Sequence, residues 1–333
     1  MKITTGLLVS ALVLLGACAD NQEEDETEEN GMEAEGEESE ESGEVTIEHA
    51  LGEEKLDEPP ERIVALEWVY AENLLALDTQ PVGVADMDGY HEWVNIEPQF
   101  DDDVVDVGTR QEPSIEEIAR LEPDLIITAA DRHEGLEDQL NDIAPTAMFD
   151  PYPGEEEGDQ YEEMESTFLE MAQVLAKENE AEEILADVEE SYETYAAELE
   201  GAGLDGEDIV LSQAFSANDT ATIRLFTDNS LAVRIMEELE LNNSFEAESF
   251  EPYGYTETNV DALEPYQDAR FVYIVQEEDD VFNDQLDGNA VWEQLDFVEN
   301  ERIHGLPGDT WTFGGPLSAQ VFAEQLTETL INE

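Results

Sequence analysis

Short apolar runs rich in Val and Ile alternate along this chain with stretches whose apolar residues recur every three or four positions. Runs of the first kind are too short for stable helices and read as buried strands, while the second kind read as amphipathic helices. Their alternation predicts α/β units built on largely parallel sheets. Residues 62–66, 82–84, 104–105 and 125–128 are expected as strands of one sheet, and 209–211, 223–226 and 271–275 as strands of a second. Between the two sets, Met164, Phe168, Met171 and Leu175 share one helical face, and Ile184, Val188, Tyr192 and Tyr195 do the same after a break near Asn179. The first of these helices is the expected spine between two lobes, and the second a helix of the later lobe. An ordinary pair packed on one sheet would show the same periodicity.

An internal echo supports two lobes. Residues 114–124 (SIEEIARLEPD) run into the strand that starts at Leu125, and residues 259–268 (NVDALEPYQD) lead to the strand at Phe271. Each copy starts with a capping residue, continues as a short helix carrying an acid, and meets a Glu-Pro expected to stop it. Ser114 with Glu117 has the spacing of a capping box.

The opening residues carry one positive charge at Lys2, an apolar run over 6–15 and then Leu15-Gly16-Ala17-Cys18, the layout of an export leader over 1–17. The run is shorter than the about 20 apolar residues that a membrane span needs. The three residues before Cys18 resemble a bacterial lipobox, which makes Cys18 the expected lipid-carrying N-terminus. Cys18 is also the one cysteine of the chain, which excludes an internal disulfide and a cysteine-based metal site. The following residues, up to 44, are mostly Glu and hold almost nothing apolar. Such a segment cannot offset its ordering entropy and is expected to be a disordered tether over 18–44. The remainder is long enough for two domains with separate cores, expected as a first lobe over 45–158, a spine over 159–178 and a second lobe over 179–333.

The 333 residues include 89 Asp and Glu against 11 Lys and Arg, a formal net charge of -78. Nucleic-acid binding needs a basic face and is excluded. A salt-rich habitat is expected, because at about 1 M ionic strength the screening length is only ~3 Å and self-repulsion is largely removed. The depletion also singles out the eight surviving arginines as candidates for specific work.

Seven segments then become informative together: 65–72 (ALEWVYAE), 108–114 (GTRQEPS), 121–127 (LEPDLII), 132–134 (RHE), 143–146 (IAPT), 225–230 (LFTDNS) and 309–319 (DTWTFGGPLSA). In this order, behind a lipobox, they resemble the iron-siderophore solute-binding lipoproteins of ABC importers, most of all those for citrate-hydroxamate siderophores of the schizokinen type. The resemblance implies the class III periplasmic-binding-protein fold, in which two Rossmann-like α/β lobes with largely parallel sheets are joined by one long helix around a ligand cleft. It implies a monomer that is not an enzyme, holds no cofactor, captures a ferric siderophore and delivers it to the transmembrane subunits of an ABC permease while anchored outside the cytoplasm by its lipid.

Within that frame Arg110, Arg132 and Arg224 are expected to face an oxygen-rich, often anionic ligand, because guanidinium offers a fixed fork of N–H donors and a permanent charge. The resemblance makes Arg110 the first-lobe siderophore arginine; an ordinary ion pair is the alternative for each of the three. Trp311 and Phe313 match the second-lobe aromatic position, and Tyr253, Trp68 and Tyr70 are further candidates for apolar walls. Core packing is the other account of Trp68, Tyr70 and the Tyr253 loop. Glu116 and Asp261 occupy the positions of the family's permease-docking acids. His133 is expected as a solvated loop residue, and the four histidines show no metal-ligand spacing. Ferric citrate, haem or a corrinoid are rival cargoes, and a surface interaction protein outside transport is a further alternative. No phosphate loop, Gly-x-Ser-x-Gly elbow or His-Glu-x-x-His motif is present.

The charge yields a first test. Thermal unfolding followed by circular dichroism is expected to shift upward by several degrees between dilute buffer and about 1 M salt; a flat or falling trend would remove charge repulsion as a main destabilising force.

Overall fold

Most of the Val- and Ile-rich runs form strands buried on both faces, flanked by the helices that cover them, while the run at 104–105 forms an exposed edge strand. A computed structural model describes Gly43 and residues 45–217 and 220–332. The leader, Cys18 and the rest of the acidic stretch lie outside the described residues. The first half contains β1 (Val45–His49), β2 (Gly52–Leu56), β3 (Ile63–Ala65), α1 (Trp68–Ala76), β4 (Gly83–Val84), α2 (Met87–Trp93), β5 (Val105–Asp106), α3 (Ile115–Arg120), β6 (Leu125–Ala129), α4 (Ala130–His133), α5 (Glu137–Asn141) and β7 (Thr146–Phe149). Then come α6 (Gln160–Val174), α7 (Glu178–Ala202), β8 (Asp208–Ala217), β9 (Thr220–Phe226), α8 (Leu231–Glu238), β10 (Asn242–Asn243), β11 (Tyr255–Thr258), β12 (Arg270–Ile274), α9 (Asp296–Glu299), β13 (Ile303–Leu306) and α10 (Pro316–Ile331).

The first sheet has the order β5-β4-β3-β6-β7 and is parallel throughout. The chain leaves the central β3 in one direction to β4 and β5, then returns to its other side for β6 and β7. The carboxyl ends of β3 and β6 therefore flank a topological switch point, where α/β sheets bind ligands. Alternate residues serve opposite faces. Ile63, Leu125, Ile127 and Ala129 enter one core with α1, and Val64, Leu66 and Ile126 enter the other with Ile118 and Leu140. Each fully buried Leu, Ile or Val contributes ~1.5–3 kcal/mol relative to exposure.

The second sheet, β11-β9-β8-β12-β13 with β10 beside β8, is mixed rather than largely parallel. Strands β8, β10, β12 and β13 run parallel, while β9 is antiparallel to both β8 and β11. Ala217 pairs with Thr220, and the two residues between them are too few for the crossover that a parallel pair requires. The face alternation persists, with Ile209, Leu211, Val272 and Ile274 in one core and Val210, Phe271 and Tyr273 in the other.

Helices α6 and α7 each serve the cores of both sheets. Phe168 and Met171 of α6 pack with the first sheet and Met164 with the second. In α7 the division follows the chain: Ala181 belongs to the first core, and Val188, Tyr192 and Leu199 to the second. The internal echo is only partly structural. Ser114 caps α3 by accepting from the Glu117 N–H, and Asn259 caps its own segment by accepting from the Asp261 N–H. The second copy, however, is a 3-10 turn over Val260–Tyr266 that carries Pro265 inside it, where proline offers no N–H to continue a helix.

One buried carboxylate ties the two sheets' helices together. Glu72, on α1, is fully buried and accepts from the Ser318 N–H at 2.7 Å and the Ser318 hydroxyl at 2.6 Å, in the first turn of α10. The anion meets the positive end of a sixteen-residue helix, where unpaired N–H groups and the dipole favour it. Gly314 and Gly315 permit this approach, since a Cβ at either would collide with Glu72 or Asn73. Burial nevertheless raises the Glu72 pKa, with the Ser318 bonds pulling the other way.

Glu72→Ala strands both Ser318 donors and is expected to cost roughly 2–3 kcal/mol in chemical denaturation. The folded carboxyl ionises at higher pH than the unfolded one. Wild-type stability should thus fall relative to the variant as pH rises from the ordinary carboxylate range through the raised folded value. A denaturation series from acid to neutral pH checks both size and sign; the opposite slope would mean that the site favours the anion.

Candidate ligand-binding site

A cleft opens at the carboxyl ends of the strands of both sheets. Glu67 follows β3 directly and stands at the N-terminus of α1, but its carboxylate makes no capping bond to that helix. It takes up two arginines instead. Arg132 reaches it from α4, immediately after β6, through Nε. Arg110 reaches it from the loop after β5, with 3.5 Å between Nη1 and the carboxylate, and places Nε 3.6 Å from Asp86. That loop is held shut by a bridge between Gly108 and Pro113. Gly108 has φ +98°, which L side chains avoid, and a Cβ there would press on the Glu112 carbonyl and the Ser114 N–H.

Aromatic residues close over this cluster. The Arg110 guanidinium lies 3.5 Å from the centroid of Trp68 and 5.9 Å from that of Trp311, close enough for cation–π attraction. Trp68 and Trp311 meet at 5.0 Å, and Trp311 and Phe313 at 5.4 Å. The segment bearing Trp311 and Phe313 joins β13 to α10, so the Glu72–Ser318 link fixes its far end. Trp311 packs on the first core and Phe313 on the second.

The cleft is open to solvent, and its lining includes Tyr70, Tyr152, Gln160, Met164, Leu231 and Gly314. The Trp311 indole N–H and the Tyr70 hydroxyl are buried with no hydrogen-bond partner among the described residues. Acceptor oxygens on a ligand would complete them.

Burial raises the Glu67 pKa while Arg132 and Arg110 pull it down. Burial lowers the Arg110 pKa. For Arg132 burial also opposes the charge, but Glu67 outweighs it and the pKa rises. Among the described residues no group of three or more His, Cys, Asp or Glu could hold a metal ion, and no helix is long and apolar enough to cross a membrane.

Residues 63–310 match the family described as Periplasmic binding protein. The chain belongs to that family. This periplasmic binding protein is 30% identical over 271 residues to the iron(3+)-hydroxamate-binding protein FhuD of Escherichia coli, covering 81% of this chain and 87% of the relative. It is 29% identical over 275 residues to the Fe(3+)-citrate-binding protein YfmC of Bacillus subtilis, covering 82% of each. Among solved structures, the siderophore-binding protein FhuD of Vibrio cholerae with Fe3+-Desferal bound superposes with a TM-score of 0.72 at 26% identity, over 81% of this chain and 98% of that one. The family is one of binding proteins and not of enzymes.

Of the residues singled out in the sequence, the periplasmic binding protein brings Arg110, Arg132, Trp68, Tyr70, Trp311 and Phe313 to one lining. Arg224 and Tyr253 are not part of it. Arg224 pairs with Glu257 at 3.2 Å, donates to Gln213 and lies over Tyr255. Tyr253 is 49% exposed, stacks beside Tyr255 and meets Tyr152 edge-on. Glu116 is exposed and ion-paired to Arg120 at 2.5 Å, and Asp261 is exposed at its turn. His133 is not solvated: it is 1% exposed, its Nδ1 pairs with the Thr128 hydroxyl, and burial lowers its pKa. Sequence reasoning missed Glu67, whose signal was an acid between Leu66 and Trp68 at the end of a buried strand. It also missed Tyr152, Gln160 and Met164, which carry no local motif.

Glu67→Ala would leave two half-buried guanidiniums facing each other. A loss of roughly 3 kcal/mol is expected in chemical denaturation, and a loss within error of zero would show that the arginines relax to other partners.

Proposed function

We propose that this protein captures a ferric siderophore in the cleft between its lobes and hands it to the permease of an ABC importer. The observation that carries this reading is a pair of arginines in one cleft, Arg110 lying against two tryptophans, beside buried N–H and O–H donors that lack partners. Oxygens of a siderophore accept from such donors, its methylene arms pack on Trp68, Trp311 and Phe313, and the iron needs no protein ligand because the chelator fills its coordination shell. The cargoes named for the relatives support the same class. Among siderophores a hydroxamate-bearing one fits best, with citrate-hydroxamates of the schizokinen type included. Ferric citrate is the second reading, favoured by the likeness to the citrate-binding relative.

In the same proposal Cys18 carries a lipid that holds the protein outside the cytoplasm, supported by the leader and the lipobox-like residues, in a salt-rich medium suited to the charge. Glu116 and Asp261 would meet arginines of the permease. Glu116 would exchange its bond with Arg120 for one across that interface. Arg224 and the Tyr253–Tyr255 pair would serve as the outer wall for a bulky complex.

The test is tryptophan-fluorescence titration of the protein with a ferric hydroxamate, ferric citrate and haem, repeated on Arg110→Ala. Saturable quenching by a ferric hydroxamate, weakened about tenfold or more in the variant, a change of ~1.4 kcal/mol, is the expected result. If a folded sample binds none of these complexes, the siderophore reading fails.

A further inference from the structure

The charges in the cleft do not favour an anion. Its lining carries three carboxylates, Glu67, Asp131 and Glu163, against two guanidiniums, Arg110 and Arg132. Neither arginine is unengaged. Both meet Glu67, whose side chain is 8% exposed, and Arg110 has Asp86 on its other edge. The remaining walls are largely aromatic and aliphatic, and cannot replace the hydration that a multiply charged ligand loses on entering. Coulomb interactions strengthen as water is excluded. A polyanion would therefore meet net repulsion at the point where the arginines alone would have attracted it. The donors that stay unsatisfied, the Trp311 N–H and the Tyr70 hydroxyl, are neutral and suit neutral acceptor oxygens.

We infer that Glu67 determines the charge of the cargo: the cleft accepts ferric complexes that are neutral or cationic overall and rejects polyanionic ones, ferric citrate above all. The inference rests on the cleft being a ferric-siderophore site and adds which members of that class enter. Glu67 acts by cancelling one arginine charge and holding both guanidiniums in place. Selectivity of this kind comes from repelling the wrong ligand as much as from attracting the right one. A singly anionic citrate-hydroxamate complex would fall between the two groups.

The experiment titrates the full protein and Glu67→Gln with three ferric complexes of graded charge: ferric desferrioxamine, made cationic by its free amine; a neutral trihydroxamate complex; and ferric citrate. Wild type is expected to bind the first two at least about a hundredfold more tightly than ferric citrate, a gap of roughly 2.7 kcal/mol. In Glu67→Gln ferric citrate should tighten and the cationic complex weaken, narrowing the gap by about tenfold or more. Should that variant fail to fold, Glu163→Gln changes the same charge balance from α6 and should narrow the gap in the same direction. Equal wild-type affinity for ferric citrate and the hydroxamates, or a gap unmoved in the folded variant, overturns the inference while leaving the siderophore reading intact. Binding of none of the three by folded wild type overturns both.

Discussion

A single carboxylate at the end of the central strand governs how the first lobe presents itself to a ligand. Glu67 can sit there because β3 lies between β4 and β6, so the connections that follow β5 and β6 converge on its carboxyl end. Those connections bring Arg110 and Arg132, and half-buried charges of one sign are gathered at lower cost around a counterion. With Glu67 between them, the two arginines are held in place, and Arg110 lies against Trp68 and Trp311. Without it, the two guanidiniums would lose the carboxylate they share.

A second buried carboxylate extends this order across the cleft. Glu72 stands five residues along from Glu67, on the short helix that Glu67 precedes, and receives the first turn of α10. The segment carrying Trp311 and Phe313 is thereby fixed at the point where it passes from one hydrophobic core to the other. Helices α6 and α7, each shared between the cores, add two further connections. Such multiple links favour small relative movements of the lobes over wide hinge opening, and they hold the aromatic wall in place before any ligand arrives. Preorganisation of this kind lowers the entropy cost of binding.

Much of the architecture was legible in residue pattern, because strands buried on both faces are continuous apolar runs whatever their partners are. Strands 125–128 and 271–275 and the helical face of Met164, Phe168 and Met171 were visible for that reason. The mixed second sheet was not, since strand direction depends on connection length: the runs at 209–211 and 223–226 left residues 212–222 between them, whereas β8 and β9 extend inward until only Asn218 and Asp219 separate them. Scarcity of basic residues exposed Arg110 and Arg132 as site candidates, and the aromatic segment around Trp311 was legible by resemblance. Glu67 was hidden by the opposite circumstance: in a chain with 89 acidic residues one more carboxylate carries no signal, and only its burial sets it apart. His133 misled for a related reason, since nothing local marks a histidine next to Arg132 as turned inward to Thr128.

The most direct test of the account is diffraction at the iron absorption edge from crystals grown with a ferric hydroxamate. A single iron peak is predicted in the cleft, with chelator oxygens facing the Arg110 guanidinium and the Trp311 indole N–H and no protein atom in the iron's coordination shell. An iron peak held by carboxylates on the acidic surface, with the cleft empty, would contradict it.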